Sequence, residues 1–360
     1  MGNPENSITK NVNEFNQVVK GTSLTQDAIK RLKKNKMAVT GLWVIVAYII
    51  VSISAPILPI YSYRKQIIEH QYLPPSFRPA GELLLEKEET YMWKVAKKLG
   101  KDTLSESDIA KLDDIKRRIK TETQIIDGEE VLIHQRVYLL GTDDLGRDML
   151  SRIIYGGQIS IAVGIIATII SILIGMFFGS IAGYAGGRTD YIIMRVVDVM
   201  YGLPYMFLVI IFQSLFGGSI INFFIALAVV SWLTTARVVR GQVMSLKNSV
   251  FVEAARSMGA SSARIIAKHL LPNSLGIIIV YATLQVPSFI MMESFLSFLG
   301  LGISAPYASW GSLIKDGIDG MTLYPWRLFF PALAMTIFLF AMNFFGDGLR
   351  DAFDPQSKNK

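Results

Sequence analysis

The 360-residue sequence has no cysteine, only three histidines, and 18% charged residues against 51% hydrophobic ones. Without cysteine there is no disulfide scaffold and no thiolate metal site, and the redox compartment stays open. A soluble domain carries about 25% charged residues, so a pair of ordinary soluble domains does not fit. The apolar content excludes disorder as a description of the whole chain. No segment follows the pattern G-x-x-x-x-G-K-[ST], which removes a Walker A phosphate loop. The net charge of +7 points first to nucleic acid. No basic stripe with interleaved aromatics accompanies it, so nucleic acid is not expected as a partner.

The charges that are present are unevenly placed. Residues 1–36 hold 7 basic and 3 acidic side chains, and residues 59–152 hold 16 basic and 17 acidic ones. Between and after them run charge-free stretches: 37–63, 153–187, 199–236, 270–292, 294–314 and 328–346. A helix crossing a ~30 Å hydrocarbon core needs about 20 apolar residues. The 199–236 run is long enough for two crossings, with Gly217-Gly218 as a turn between them. These stretches lack polar faces at helical period, which argues against a buried soluble core. Six helices result, at about 37–58, 158–183, 191–215, 220–239, 275–299 and 328–346.

Lys30, Arg31, Lys33, Lys34 and Lys36 precede the first helix and place the N-terminus in the cytoplasm. Six crossings return the C-terminus to the same side. The segment 240–274 is then cytoplasmic and the 59–157 block external. The first apolar stretch comes after 36 polar residues with no small-residue cleavage site, which reads as a retained anchor. The expected organisation is a cytoplasmic arm (1–36), helix one (37–58), an extracytoplasmic insertion and linker (59–152), a core of five further helices (153–348) carrying the 240–274 loop, and a cytoplasmic tail (349–360).

That loop holds Glu253-Ala254-Ala255-Arg256-Ser257-Met258-Gly259, and Leu271-Pro272-Asn273-Ser274 beyond it. The pattern predicts a short helix, a turn at Gly259 and a second short helix. Phe251, Ala254, Ala255 and Met258 share one apolar face, kept thin by the two alanines. Ser261 or Ser262 suits the second N-cap, and Asn273 or Ser274 the cap of the next membrane helix after Pro272. By spacing alone, a connector lying on the lipid surface fits as well as a docking element.

This stretch resembles the EAA loop of permease subunits in ATP-binding-cassette importers: Glu-Ala-Ala, Gly four positions after the second Ala, then Leu-Pro. His269 stands where the general pattern has Ile, a departure typical of the peptide-importer branch. Gly141-Thr142-Asp143-Asp144-Leu145-Gly146-Arg147-Asp148, Ser294 to Gly302 with Ser309-Trp310-Gly311, and Gly346 to Asp351 with Asp354-Pro355 resemble further elements of that branch. The likeness covers the first membrane helix and roughly 138–356 and points to the C-type permease of dipeptide/oligopeptide importers.

The resemblance implies an all-α polytopic membrane protein: six transmembrane helices of the type I ABC importer permease kind, with a small α+β extracytoplasmic insertion between helices one and two. It implies a non-catalytic subunit in a bacterial-type cytoplasmic membrane. The implied partners are a homologous second permease (a heterodimer), two ATPase subunits and an extracytoplasmic peptide-binding protein, with membrane lipid around them. ATP and Mg would sit on the ATPases and no cofactor in this chain. Glu253, Ala254, Ala255, Met258, Gly259, Leu271 and Pro272 would form the ATPase-coupling surface, with Pro272 setting the exit angle into helix five. The same machine carrying nickel or a nickel chelate is the alternative. A secondary transporter is disfavoured, since no inverted repeat is evident.

Other polar residues stand out against the apolar background. Arg195 and Asp198, three apart on one helix face, suit a local ion pair or an inner gate. Glu293 is the one acid deep in helix five, fit for an inter-helix hydrogen bond, a peptide amine or a neighbouring permease. Gly175, Gly179, Gly183, Gly186 and Gly187 recur near the spacing that lets membrane helices pack closely. His134 and His269 lack partners at metal-ligand spacing, so no metal site is expected.

The insertion of about 80 residues departs from the short segment expected of the family. Residues 82–99 and 105–120 suit surface helices, and Thr121 to Leu139 a hairpin turning at Asp127-Gly128. Docking of the binding protein and a cover without selective contact both remain open for it.

Overall fold

The computed structural model describes residues 24–126, 128–216, 220–303 and 306–354. The Gly217-Gly218 turn, the arm before residue 24, Asp127 and the tail from Pro355 lie outside those residues.

The charge-free runs become helices. α1 (Leu24–Lys34) leads to α2 (Lys36–Ser54), capped by Asn35, whose Oδ1 accepts from Ala38 N at 3.2 Å. The insertion contributes α3 (Ala80–Lys98), α4 (Glu106–Thr121) and the antiparallel hairpin β1 (Thr123–Ile126) and β2 (Glu129–Leu132). Ile126 pairs with Glu129, leaving a two-residue turn in which Gly128 has φ +90°. The core continues with α5 (Met149–Ala185), α6 (Gly187–Gly202), α7 (Tyr205–Phe216), α8 (Ile220–Leu246), α9 (Val250–Ser257), α10 (Ser262–Ile265), α11 (Leu271–Phe298), α12 (Trp310–Ile318) and α13 (Trp326–Phe353). Among the described residues, five helical spans are long and apolar enough to cross a bilayer, and the bent pair α6–α7 makes a sixth.

Two spans differ from the expected ones. The 191–215 helix is broken: α6 and α7 meet at 85°. Pro204 has no N–H to continue the ladder, and it holds Leu203 extended at φ −90°, ψ 135°. At Pro272, by contrast, no new helix starts. α10 runs on through a wide π turn, Ile266–Leu270, into α11, with Leu271 N–H bonded back to Ile266 O. That extra residue in the turn absorbs the proline ring and its missing donor. Asn273 and Ser274 therefore do not cap a helix. Their side chains donate backward to His269 O (2.5 Å) and Leu270 O (2.9 Å).

α5 has 37 residues, about 55 Å at 1.5 Å per residue, and outruns the hydrocarbon on either side. It packs along α8 through glycine. A Cβ on Gly175 would lie 2.5 Å from Thr235 Cβ, one on Gly179 2.4 Å from Ala236 O, and one on Gly183 2.8 Å from Arg240 O. Gly186 and Gly187 do something else: with φ +64° and +53° they turn the chain from α5 into α6.

The opposite end of α5 is tied by charge. Asp148 caps the helix, its Oδ2 accepting from Ser151 N at 2.9 Å. Asp143 accepts from the backbone N–H groups of Leu145 and Arg147, both at 2.9 Å, and from the guanidiniums of Arg147 and Arg152. Trp310 is buried at the centre of the apolar cluster between α2, α5, α11 and α13; its indole N–H donates to Ile153 O at 3.0 Å. The insertion docks on this end: Trp326 Nε1 donates to Thr142 O (3.2 Å), and Tyr72 stacks on Tyr324 with ring centres 4.2 Å apart.

Within the insertion, His134 is not isolated, contrary to the expectation from sequence. Its Nδ1 lies 3.0 Å from Nε2 of His70, whose Nδ1 lies 2.9 Å from the Tyr138 hydroxyl. Burial, with His134 and Arg136 nearby, pushes the His70 pKa down to about 3. The two rings come from positions 64 residues apart, which no local spacing rule detects.

Gly179→Leu should therefore force α5 and α8 apart. Overpacking of this kind costs about 1–3 kcal/mol, read as a lowered Tm of the detergent-solubilised protein. Gly202→Ala, where a Cβ meets nothing within 4 Å, should leave Tm close to wild type.

Candidate functional site

The 250–272 segment is an exposed surface carried by the end of α8. Val252 and Ala255 are fully buried beneath it, against Val239, Val243, Ile265, Leu270 and Ile278. The apolar face expected from spacing is thus divided. Ala255 points inward, whereas Phe251, Glu253, Ala254, Met258 and Gly259 face outward. The reason is Val252, which takes the inward register and rotates the helix. Met258 is 81% exposed and Val250 83%. Both flank the exposed acid Glu253 on the outward side of the helix.

Gly259 ends α9 at φ +80°, with open space where a Cβ would be. Any other residue there is strained by the backbone conformation. Ser261 caps α10, its hydroxyl accepting from Arg264 N at 3.4 Å. Leu271 is half-buried and Pro272 exposed at the root of α11. α9 is fastened to the turn between α5 and α6 through α8. Arg240 bonds both carboxylate oxygens of Asp190 at 2.5 Å, and Lys247 Nζ donates to Gly183 O at 3.4 Å. Asp190 had no distinguishing mark in the sequence, because its partner lies 50 residues away.

Arg195 and Asp198 do not pair with each other. Asp198 accepts from Arg237 on α8 at 2.7 Å. Arg195 donates to the Tyr191 hydroxyl at 3.1 Å and lies 5.0 Å over that ring. The three-residue spacing puts both on α6, yet α8 supplies the better-placed partner for Asp198. Glu293 is fully buried, its Oε1 accepting from Ser297 (2.7 Å) and from Ser309 at the start of α12 (2.6 Å). Its Oε2 has no hydrogen-bond partner among the described residues. Glu293 thus fastens α11 to the start of α12.

A cleft of about 550 Å³ opens where α6 breaks into α7, against α8 and α11. Tyr201, Pro204, Thr234, Gln285, Ser288 and Phe289 line it. Gln285 donates to Thr235 Oγ1 at 3.0 Å, leaving its Oε1 without a partner, and the Tyr205 and Ser231 hydroxyls are also unpaired among the described residues. All three are buried atoms, and none of the residues lining the cleft carries a formal charge. Pro204 and Gln285 were visible as polar or breaking residues within apolar runs, but only the 85° bend makes them neighbours.

Among the described residues, one group of possible metal ligands stands outside the core: Glu69, Glu122 and His134 in the insertion offer donor atoms within 4.8 Å of one another.

The family described as binding-protein-dependent transport system inner membrane component matches residues 171–359, and the N-terminal transmembrane domain of oligopeptide transport permease C matches residues 23–75. The dipeptide transport system permease protein of Bacillus subtilis is 40% identical over 335 residues, covering 93% of this chain and 86% of the relative. The oligopeptide transport system permease protein of the same organism is 37% identical over 337 residues, covering 94% and 91%. Its counterpart from Haemophilus influenzae is 50% identical over 221 residues, covering 61% and 71%. The α5–α13 core, its exposed α9 and these likenesses together make the chain a member of the binding-protein-dependent transport inner-membrane components, the multi-pass permease subunits of ABC importers.

Proposed function

We propose that the chain forms one half of the pore of an ATP-driven peptide importer. The outward face of α9 carries this reading: Glu253, Ala254, Met258 and Gly259 stand exposed on a helix whose other side is locked into the core. A partner that grips this face moves α8 with it. The chain itself does no chemistry. ATP and Mg act on two ATPase subunits docked at α9, and a homologous second permease completes the pore. An extracytoplasmic binding protein delivers the solute. The relatives named for dipeptide and oligopeptide transport favour peptide over nickel as cargo. The termini lie on the cytoplasmic side with α9, in a bacterial-type cell membrane. Three packing features support that placement: Arg31 donates to Asp354 O at 3.2 Å, Gly276 meets the Phe353 ring, and the insertion sits at the other end of α13.

The cleft at the α6–α7 break is this chain's share of the path. Its polar atoms are neutral, so it passes a backbone without selecting side chains.

The absence of cysteine from the chain makes Met258→Cys its sole thiol. In inverted vesicles of permease assembled without ATPases, a membrane-impermeant maleimide should label it, and added ATPases should protect it. Labelling in right-side-out vesicles instead would overturn the orientation. Glu253→Trp or Gly259→Val should cut uptake by about tenfold or more, the effect of losing roughly 1.4 kcal/mol or more of coupling, with the complex still inserted and hydrolysing ATP. Wild-type uptake by both would refute the coupling role of α9. Ser288→Trp should fill the cleft and lower uptake by a similar factor without changing Tm, and unchanged uptake would remove the cleft from the path.

A further inference from the structure

We propose that Glu69, Glu122 and His134 form a binding site for a zinc-class divalent cation in the external insertion. The three donors come from separate segments: Glu69 after α2, Glu122 at the end of α4, and His134 just before the Gly141 element that leads into α5. His134 Nε2 lies 3.1 Å from Glu122 Oε2 and 3.7 Å from Glu69 Oε2. Ligands about 2.0–2.2 Å from a tetrahedral ion stand roughly 3.3–3.6 Å apart, so the observed separations bracket the required one.

The imidazole is held for this task from behind. His134 is 2% exposed, and its other ring nitrogen contacts His70, which contacts Tyr138. With an ion on Nε2, His134 Nδ1–H donates to His70 Nε2, and His70 Nδ1–H donates to the Tyr138 oxygen. Every ring nitrogen is then used, the pattern by which proteins orient a metal-bound histidine. A cavity of about 230 Å³ opens onto the same point, lined by Glu69, Glu88, Arg118, His134, Leu84 and Ile115. It supplies a route for the ion and a further carboxylate, Glu88, on its wall.

Arg118 occupies the cation's place. Its guanidinium bonds Glu69 and Glu122 together, and its side chain is 38% exposed at the cavity. Two carboxylates carry −2, which one guanidinium half neutralises and a divalent ion in its place would cancel. The ion and the guanidinium are therefore exchangeable counter-cations, with Arg118 free to swing into solvent when the ion enters. Occupancy staples the root of the insertion to the end of α4. It also reaches α5, because the backbone carbonyl of His70 is bonded by the Thr142 hydroxyl.

The test uses the full chain in detergent, free of affinity tags and stripped of metal, titrated with Zn²⁺ by calorimetry and with Co²⁺ by absorption. One saturable ion per chain is expected, with a Co²⁺ spectrum of nitrogen–oxygen coordination. Glu69→Gln and Glu122→Gln should each weaken binding tenfold or more, and Arg118→Gln should strengthen it. Zn²⁺ should raise the Tm of the wild type but not of Glu69→Gln. Absence of saturable binding in both the wild type and Arg118→Gln overturns the site. So does an affinity that neither glutamate substitution changes, which would place the ion elsewhere.

Discussion

The close approach of α5 to α8 is the constraint on which the rest of the molecule depends. Three glycines, Gly175, Gly179 and Gly183, bring the backbone of α5 into contact with Thr235, Ala236, Val239 and Arg240. In lipid no hydrophobic force holds helices together, so association rests on packing and hydrogen bonds. Ser171 adds one such bond, donating to Ser231 O at 2.9 Å. Once α8 is fixed against α5, α9 is fixed as well, because Val252 and Ala255 bury into the end of the same pair. The Arg240–Asp190 bond closes the structure on its third side. Force applied to α9 thus reaches α5 through rigid contacts rather than through a hinge.

Polar groups are placed under an equally strict constraint. A buried charge is costly unless paired, and breaking one partner leaves the other stranded. Arg152, 5% exposed, is held by Asp143, and Arg327, 4% exposed, donates to Asp319 O and Asp316 O. Arg152 also lies 3.7 Å from Asp316 and Arg327 3.4 Å from Asp144, which joins the start of α5 to α12 and α13. Glu293 closes a similar contact between α11 and Ser309. The cleft at Pro204 is the exception: Gln285 Oε1 and the Tyr205 hydroxyl are buried there without a hydrogen-bond partner among the described residues.

The spans were legible in the sequence because charge is excluded from the hydrocarbon, and a charge-free run records that exclusion directly. Breaks within a run are recorded less plainly. Pro204 and Pro272 look alike in sequence, yet one bends the chain by 85° and the other is absorbed by a π turn. The neighbouring residues make the difference: Asn273 and Ser274 return hydrogen bonds to the strained turn, and Leu203 has no such help. The hairpin at Gly128 was legible because a two-residue turn is a local matter. The pairs Asp198–Arg237, Asp190–Arg240 and His70–His134 were not, since each joins residues 39 to 64 positions apart. Local spacing instead suggested Arg195 for Asp198, and an apolar α9 face that Val252 in fact divides.

The length of α5 connects the insertion to the α8–α9 pair. One unbroken helix carries the Asp143–Arg147–Arg152 knot at its N-terminal end and meets the α8–α9 pair near its C-terminal end. A switch between two states needs an element that both ends can bias. α5 is held at both ends, since glycine contacts at Gly175, Gly179 and Gly183 clamp its last third against α8. The insertion grips the first turns of this helix through Thr142, Tyr72 and Trp326. The insertion and the exposed α9 segment are therefore joined to opposite ends of one continuous helix.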